Sequence, residues 1–270
     1  MSLNFDKQGR KVAIIEGGKY KGKIVSVQED GKYNLDEKDN DVRKYQAVKI
    51  PEEDEGTFQH IPDGVSARQI VYITGASGSG KSYYTAQYCK EYKKRNKNNP
   101  IFLFSTLDED TSIDGVKPYR VVIDETLITD PIDIKEFENS LVIFDDTDCM
   151  PDKKLRSAVN KILDSILQTG RHYNISCILT FHLPSDKNAT KMILNECHQF
   201  VFFPQNAVTR SLRYVLENYL GLEWQTIQKL KKSKSRWVSI FKNYPQCILT
   251  EKGCYMLNYY TDDTSEHQKA

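Results

Sequence analysis

No stretch of this 270-residue chain approaches the ~18 to 20 consecutive apolar residues that a membrane span requires, and the N-terminus lacks the apolar core of a signal peptide. The chain is therefore expected to stay where it is made and to meet no membrane. Charge of one sign is lacking too: 38 Lys and Arg stand against 37 Asp and Glu, a net charge of +1, which excludes a globally basic nucleic-acid binder. No CxxC pair and no His-rich spacing links the six cysteines, Cys89, Cys149, Cys177, Cys197, Cys247 and Cys254. That pattern argues against a metal site and for buried thiols in a reducing compartment. The two Asn-x-Ser/Thr sequons, at Asn174 and Asn188, are read accordingly as chance matches. There is no internal repeat and no low-complexity tract. With 39% hydrophobic and 28% charged residues, the composition excludes wholesale disorder and allows a packed core.

What is present changes texture along the chain. Residues 11 to 50 read as short alternating strands broken by Gly-Gly, Asp-Gly and Asn turns: KVAIIEGG, YKGKIVSVQEDG, KYNLDEKDN and RKYQAVKI. An acidic stretch, Pro51 to Gly56, follows as an expected linker. The reading is a small β module with its linker over residues 1–56 and a larger domain over 57–270. From about residue 66, apolar runs alternate with helical segments, the pattern of βαβ units feeding a mostly parallel sheet. Strands are expected at Gln69 to Ile73, Ile101 to Ser105, Arg120 to Ile123, Leu141 to Phe144, Ile175 to Thr180 and Gln199 to Phe203. Helices are expected at Lys81 to Asn96, Asp133 to Glu138, Lys153 to Gly170, Asn188 to Asn195 and Ala207 to Tyr219. A terminal β hairpin, Trp237 to Lys242 and Cys247 to Leu257, closes the chain.

The segment Gly75-Ala76-Ser77-Gly78-Ser79-Gly80-Lys81-Ser82 fits GxxxxGK[ST] between an apolar strand and a helix, the context that makes it a phosphate-binding loop. Its glycines allow successive N–H groups to point at phosphate oxygens, and the helix N-terminus adds its positive dipole end. Lys81 is expected to reach the β- and γ-phosphates of ATP, and the Ser82 hydroxyl to ligate Mg2+. Leu141-Val-Ile-Phe-Asp145-Asp146 is an apolar strand ending in two acids, a Walker B pattern. Asp145 is the second expected Mg2+ contact, and Asp146 sits where a carboxylate would orient or deprotonate an attacking water. Asp148 reads as a helix cap or a solvent-facing acid. Two basic runs, Lys90 to Lys97 and Lys229 to Arg236, either track phosphate backbones or are solvated helix ends.

Thr169-Gly-Arg171-His-Tyr-Asn-Ile-Ser-Cys-Ile-Leu-Thr180-Phe-His182 resembles the stretch of FtsK/HerA ATPases in which a helix ends in an arginine and leads to a strand tipped by a polar sensor. The resemblance implies that Arg171 is a finger reaching the nucleotide, often that of a neighbouring subunit. The sensor eleven positions on is His182, where the family usually has Gln; the assignment stays open between His182 and Thr180. His172 and His198 are read as structural. Taken together, ITGASGSGKS, the IFDD strand end, GRHYNIS and the FVFFPQN strand resemble the packaging ATPases of poxviruses and their large-DNA-virus and virophage relatives, over roughly residues 66 to 220.

That resemblance implies an α/β fold of the ASCE, RecA/FtsK-like P-loop NTPase class, and an ATP- and Mg2+-dependent translocase that packages double-stranded DNA into a capsid. It also implies a homo-oligomeric ring, a capsid or portal-vertex protein as partner, and a place in the host cytoplasm (the viral factory) and the virion. The N-terminal stretch VAIIEGGKYKGKIVSV separately resembles a KOW-type segment of an SH3-like barrel, with Val12, Ile14, Gly17 or Gly18, Lys21, Gly22 and Val27 on the pattern. Rival readings are another FtsK/HerA-type pump or helicase and a P-loop kinase. A guanine-reading NKxD segment is missing, and isolated arginines such as Arg171 and Arg210 do not suggest a kinase lid.

Overall fold

The computed structural model describes residues 1–5, 9–28, 45–66, 68–186, 190–206 and 209–257. The expected strand KYNLDEKDN, the sequon at Asn188 and the start of the helix expected from Ala207 lie outside these residues. Two sheets carry the fold. The smaller is antiparallel, with strands β1 (Ser2–Asn4), β2 (Arg10–Glu16), β3 (Ile24–Gln28) and β5 (Thr57–His60) in the order β1-β3-β2-β5. Strand β4 (Ala47–Lys49) instead joins the edge of the larger sheet. Sheet membership thus crosses the boundary expected at residue 56, with β4 before it and β5 after it.

The larger sheet contains β6 (Ile70–Thr74), β7 (Ile101–Ser105), β8 (Tyr119–Arg120), β9 (Leu141–Asp145), β10 (Ser176–Phe181), β11 (Gln199–Phe202), β12 (Val238–Phe241), β13 (Cys247–Thr250) and β14 (Gly253–Met256). Its order is β4-β14-β13-β12-β11-β6-β10-β9-β7-β8. The half from β11 to β8 is parallel throughout, and the half from β12 to β4 is antiparallel. Strand β10 lies between the P-loop strand β6 and the acid-tipped strand β9. Together with the flanking helices this is the α/β P-loop NTPase fold expected.

Central strands buried on both faces read as continuous apolar runs, and their period-two geometry sends alternate residues to opposite layers. Tyr72, Phe144, Leu179 and Phe202 pack with α3 (Lys153–Thr169), α4 (Lys191–Glu196), α5 (Thr209–Asn218) and α6 (Trp224–Lys231). Val71, Ile73, Ile143, Ile178 and Val201 pack on the other face with α1 (Lys81–Arg95) and the inward residues of the small sheet, Leu3, Val12 and Val25. One apolar cluster therefore joins both sheets. His60 on β5 lies inside it, its Nδ1 2.8 Å from the Tyr84 hydroxyl on α1, and burial pushes its pKa down to about 3. The expected linker, Pro51 to Gly56, is a hydrogen-bonded turn: Asp54 accepts from Gly56 N–H (2.7 Å) and Lys19 N–H (3.1 Å), and Lys252 donates to the carbonyls of Asp54 and Gly56.

Where propensity was weakest, the elements differ from expectation. The strand expected at Arg120 to Ile123 shrinks to Tyr119–Arg120 at the sheet edge, with Val122 exposed. The helix expected at Asp133 to Glu138 is a single 3-10 turn, Ile134–Phe137, capped by Asp133. The terminal hairpin is three strands, because the chain reverses again at Glu251–Lys252. Helix α6 was not anticipated; Ile227 and Leu230 bury one face of a segment that otherwise reads as basic and polar. Asp148 is not a cap: Asp152 caps α3 by accepting from Lys154 N–H and Leu155 N–H. Among the described residues, no helix is long and apolar enough to cross a membrane.

Candidate functional site

At the C-terminal edge of the parallel strands, residues 75–80 carry the chain from β6 into α1. Gly75 N–H donates to Phe181 O (3.2 Å), tying the loop to β10. A Cβ on Gly75 would lie 2.5 Å from Ser79 Oγ and 2.9 Å from the Phe203 ring, and Gly80 has φ +105°, so side chains are excluded at both positions. The first turn of α1 holds no acidic residue, and no side chain caps it. Its N-terminal N–H groups and positive dipole end are thus left for an anion. Lys81 is buried, and its Nζ donates to Gly75 O (3.0 Å) and lies 3.4 Å from Asp146 Oδ1. Ala76, Ser77 and Gly78 are exposed, while Ser79, Gly80 and Ser82 are half-buried.

Strand register assembles the acids. Ser105 of β7, Asp145 of β9 and Thr180 of β10 are direct neighbours across the sheet. Thr180 Oγ1 donates to Asp145 Oδ1 at 2.6 Å, and Ser105 Oγ lies 3.4 Å from Oδ2. Asp145 is 3% exposed. Burial raises its pKa above the ordinary carboxylate range; the Thr180 bond opposes that shift, the neighbouring Asp146 adds to it, and Lys81 opposes it. The next residue, Asp146, leaves the strand in the left-handed region at φ +47°, its N–H donating to Thr180 O at 3.0 Å. A non-glycine residue held there is a local cost that the surrounding bonds impose. The turn aims Asp146 Oδ1 at both Lys81 Nζ and His182 Nδ1, the latter at 3.5 Å.

The structure thus brings Lys81, Ser82, Asp145, Asp146, Thr180 and His182 together at one edge and leaves Arg171 elsewhere. Arg171 is exposed in the 3-10 turn Gly170–Tyr173, which precedes β10 at the opposite edge of the sheet. Six residues of β10 separate the two edges, ~20 Å at about 3.3 Å per residue. Thr180 and His182, alternatives for the sensor, differ in setting: Thr180 is fully buried beneath the acids, and His182 is 31% exposed beside Asp146. His198 accepts from Ile70 N–H (3.0 Å), with its pKa lowered to about 4 by burial. Two contributors escaped the sequence reading. Ser105 gave only the weak signal of a polar residue ending an apolar strand. Cys149, expected buried like the other cysteines, is exposed, with Sγ 3.3 Å from His182 Nδ1.

The basic runs also part company. On α1, Lys94 and Arg95 both pair with the buried Glu91, and Lys93 donates to Asn99 O (2.7 Å), so that run serves the helix end. In the second run Lys232 and Lys234 are exposed, and Arg236 is held by Glu251. That run enters the sheet at the P-loop edge, since Val238 pairs with Phe202, which pairs with Thr74. Trp237 meets Tyr84, in the first turn of α1, with ring centroids 5.1 Å apart.

No family model matches the sequence. It is 39% identical over 257 residues to protein V3 of Sputnik virophage, an alignment covering 94% of this chain and 98% of that one. The chain belongs to the V3 family. Among solved structures, this V3-family chain is similar to the genome packaging NTPase B204 from Sulfolobus turreted icosahedral virus 2 in complex with AMPPCP. That match has 18% identity and a TM-score of 0.48 and covers 70% of this chain and 99% of that one. It is also similar to the pCW3 conjugation coupling protein TcpA with ATPgS, at 15% identity and TM-score 0.46, covering 94% and 79% of the two chains.

Proposed function

We propose that this V3-family protein is an ATP-driven translocase that packages double-stranded viral DNA. The observation that carries the hydrolytic part is the convergence of Lys81, Asp145, Asp146 and His182 on the uncapped N-terminus of α1. The donor set fits a nucleoside triphosphate with Mg2+: a glycine-lined loop where a Cβ on Gly75 would clash, one serine hydroxyl at Ser82, and one buried carboxylate at Asp145. When bound, the ion neutralises charge on the phosphate oxygens.

The protein's own groups do the rest. Lys81 exchanges its Gly75 contact for phosphate oxygens. Asp146, held by Thr180, accepts a hydrogen bond from the attacking water and orients it in line with the γ-phosphate. His182, beside Asp146, donates to the γ-phosphate and acts as the sensor. Thr180 positions both acids from beneath.

Arg171 lies too far from its own P-loop to act there, which supports a finger working on a neighbouring subunit and hence a ring. The exposed Lys232 and Lys234, at the same sheet edge as the P-loop, are assigned to the DNA path. Membership in a virophage protein family and the FtsK/HerA-like motifs support a viral genome as the substrate. A capsid or portal-vertex protein is then the docking partner, and the host cytoplasm the place of action.

The deciding experiment is steady-state ATPase activity with and without double-stranded DNA across protein concentration, for wild type, Arg171→Ala and Asp146→Asn. Stimulation by DNA, cooperative dependence on concentration and loss in both variants are expected. Activity indifferent to DNA and concentration would refute the translocase and point to a stand-alone NTPase or kinase.

A further inference from the structure

Beside the nucleotide site lies a second set of donors, of which the phosphate chemistry uses only His182. Asp148 and Cys149 belong to the 3-10 turn Thr147–Cys149 after β9, and His182 follows β10. One ligand-bearing atom from each lies within 4.8 Å of the other two. We propose that Asp148, Cys149 and His182 bind a thiophilic divalent cation of the Zn2+ type, and that an ion bound there holds His182 out of catalysis.

The donor chemistry separates this site from the Mg2+ position. Thiolate, imidazole and carboxylate are a Zn2+ set, whereas Mg2+ takes oxygen ligands in octahedral geometry. Tetrahedral bonds of about 2.3 Å to sulfur and 2.05 Å to nitrogen put those two atoms about 3.6 Å apart. Cys149 Sγ and His182 Nδ1 are 3.3 Å apart, so a few tenths of an ångström admits the ion. Two further observations point to a ligand. Asp148 Oδ1 is buried and has no hydrogen-bond partner among the described residues. Cys149 is exposed, whereas the other five cysteines are buried. A solvent molecule fills the fourth position, and on binding the thiol proton leaves to solvent.

The consequence for activity follows from which nitrogen is used. His182 Nδ1 is the atom that faces Asp146 Oδ1 at 3.5 Å, so coordination through it removes that contact. Lys81, 3.4 Å from the same Asp146 oxygen, keeps its partner. Inhibition by Zn2+ rests on the hydrolytic reading above; occupancy of the site does not.

The test is titration of the full-length, reduced, nucleotide-free protein with Co2+, read by absorption. Wild type is expected to give a thiolate-to-cobalt charge-transfer band saturating at one equivalent, abolished by Zn2+ and unaffected by excess Mg2+. Cys149→Ser should lose the band, and Asp148→Asn, which removes a carboxylate ligand, should bind more weakly. As a readout needing no variant, Zn2+ should slow alkylation of Cys149 in the wild type, followed by mass spectrometry. No band in wild type, a band that survives Cys149→Ser, or alkylation indifferent to Zn2+ would each overturn the proposal. In the activity arm, Zn2+ should inhibit wild type and spare Cys149→Ser; a protein without ATPase activity would sink the hydrolytic reading and leave the spectroscopic result standing.

Discussion

Replacing Thr180 by valine tests whether the sheet register holds Asp145 and Asp146 as described. The substitution keeps the shape and removes the Oγ1 that donates to Asp145 Oδ1 at 2.6 Å. No donor is orphaned, because Asp146 N–H keeps Thr180 O at 3.0 Å. What is lost is one hydrogen bond to a buried charged group, about 1.5 to 3 kcal/mol, together with the longer contact in which Oγ1 accepts from Asp146 N–H at 3.2 Å. At roughly 2 to 4 °C per kcal/mol for a domain of this size, the melting temperature should fall by roughly 3 to 12 °C.

The pH dependence has a definite sign. Burial raises the Asp145 pKa above 3.8, and the Thr180 bond counteracts that rise. A carboxylate raised in the fold contributes stability below its unfolded pKa and loses it as pH rises through the folded value. Thr180→Val raises the folded value further, so its penalty should be small near pH 4 and grow towards neutrality. Urea unfolding over a pH series without divalent ions measures this. A loss independent of pH, or one under about 0.5 kcal/mol at neutral pH, the level of an ordinary surface substitution, would refute the bonding scheme.

Other outcomes follow from the same geometry. Asp145→Asn should stabilise the nucleotide-free protein at neutral pH, since it removes a buried charge, while abolishing hydrolysis; calorimetry showing a lower melting temperature would contradict the burial argument. Arg171→Ala should cost ~10³ to 10⁵ in turnover, and mixing it with Asp146→Asn should restore activity in mixed rings, a recovery that only a trans-acting arginine allows. His60 and His198 have pKa values lowered to about 3 and about 4, so each should cost about 1.4 kcal/mol of stability per pH unit as pH falls below 6.5 towards those values. His60→Gln should remove one proton's worth of that slope in acid unfolding. Substituting Lys232 and Lys234 with Gln should weaken DNA binding and flatten its salt dependence while leaving DNA-free hydrolysis unchanged; an unaltered slope would remove these lysines from the DNA path.

Much of the site was legible because its signals are local. The loop from Gly75 to Ser82 needs glycine where the backbone turns left-handed or touches Phe203, and those requirements are written in consecutive residues. Strands β6, β7, β9, β10 and β11 were legible because burial on both faces demands unbroken apolar runs. The weaker elements depended on partners that no window contains. Helix α6 forms because Ile227 and Leu230 find a surface to cover, and β14 because β13 offers an edge.

The glycine-rich turn from Gly75 to Ser82, the acid-tipped strand and the parallel core each follow from backbone geometry and burial within a few residues, so residue order specifies them. What meets across the chain depends on how the strands assemble. Register set Thr180 and Ser105 beside Asp145, a shared apolar cluster joined the small sheet to α1, and the two strand ends put His182 beside Asp146 and Cys149 but Arg171 ~20 Å away. Those contacts depend on the order and direction of strands in the sheet, which pair residues 35 and 40 positions apart and which no local pattern encodes.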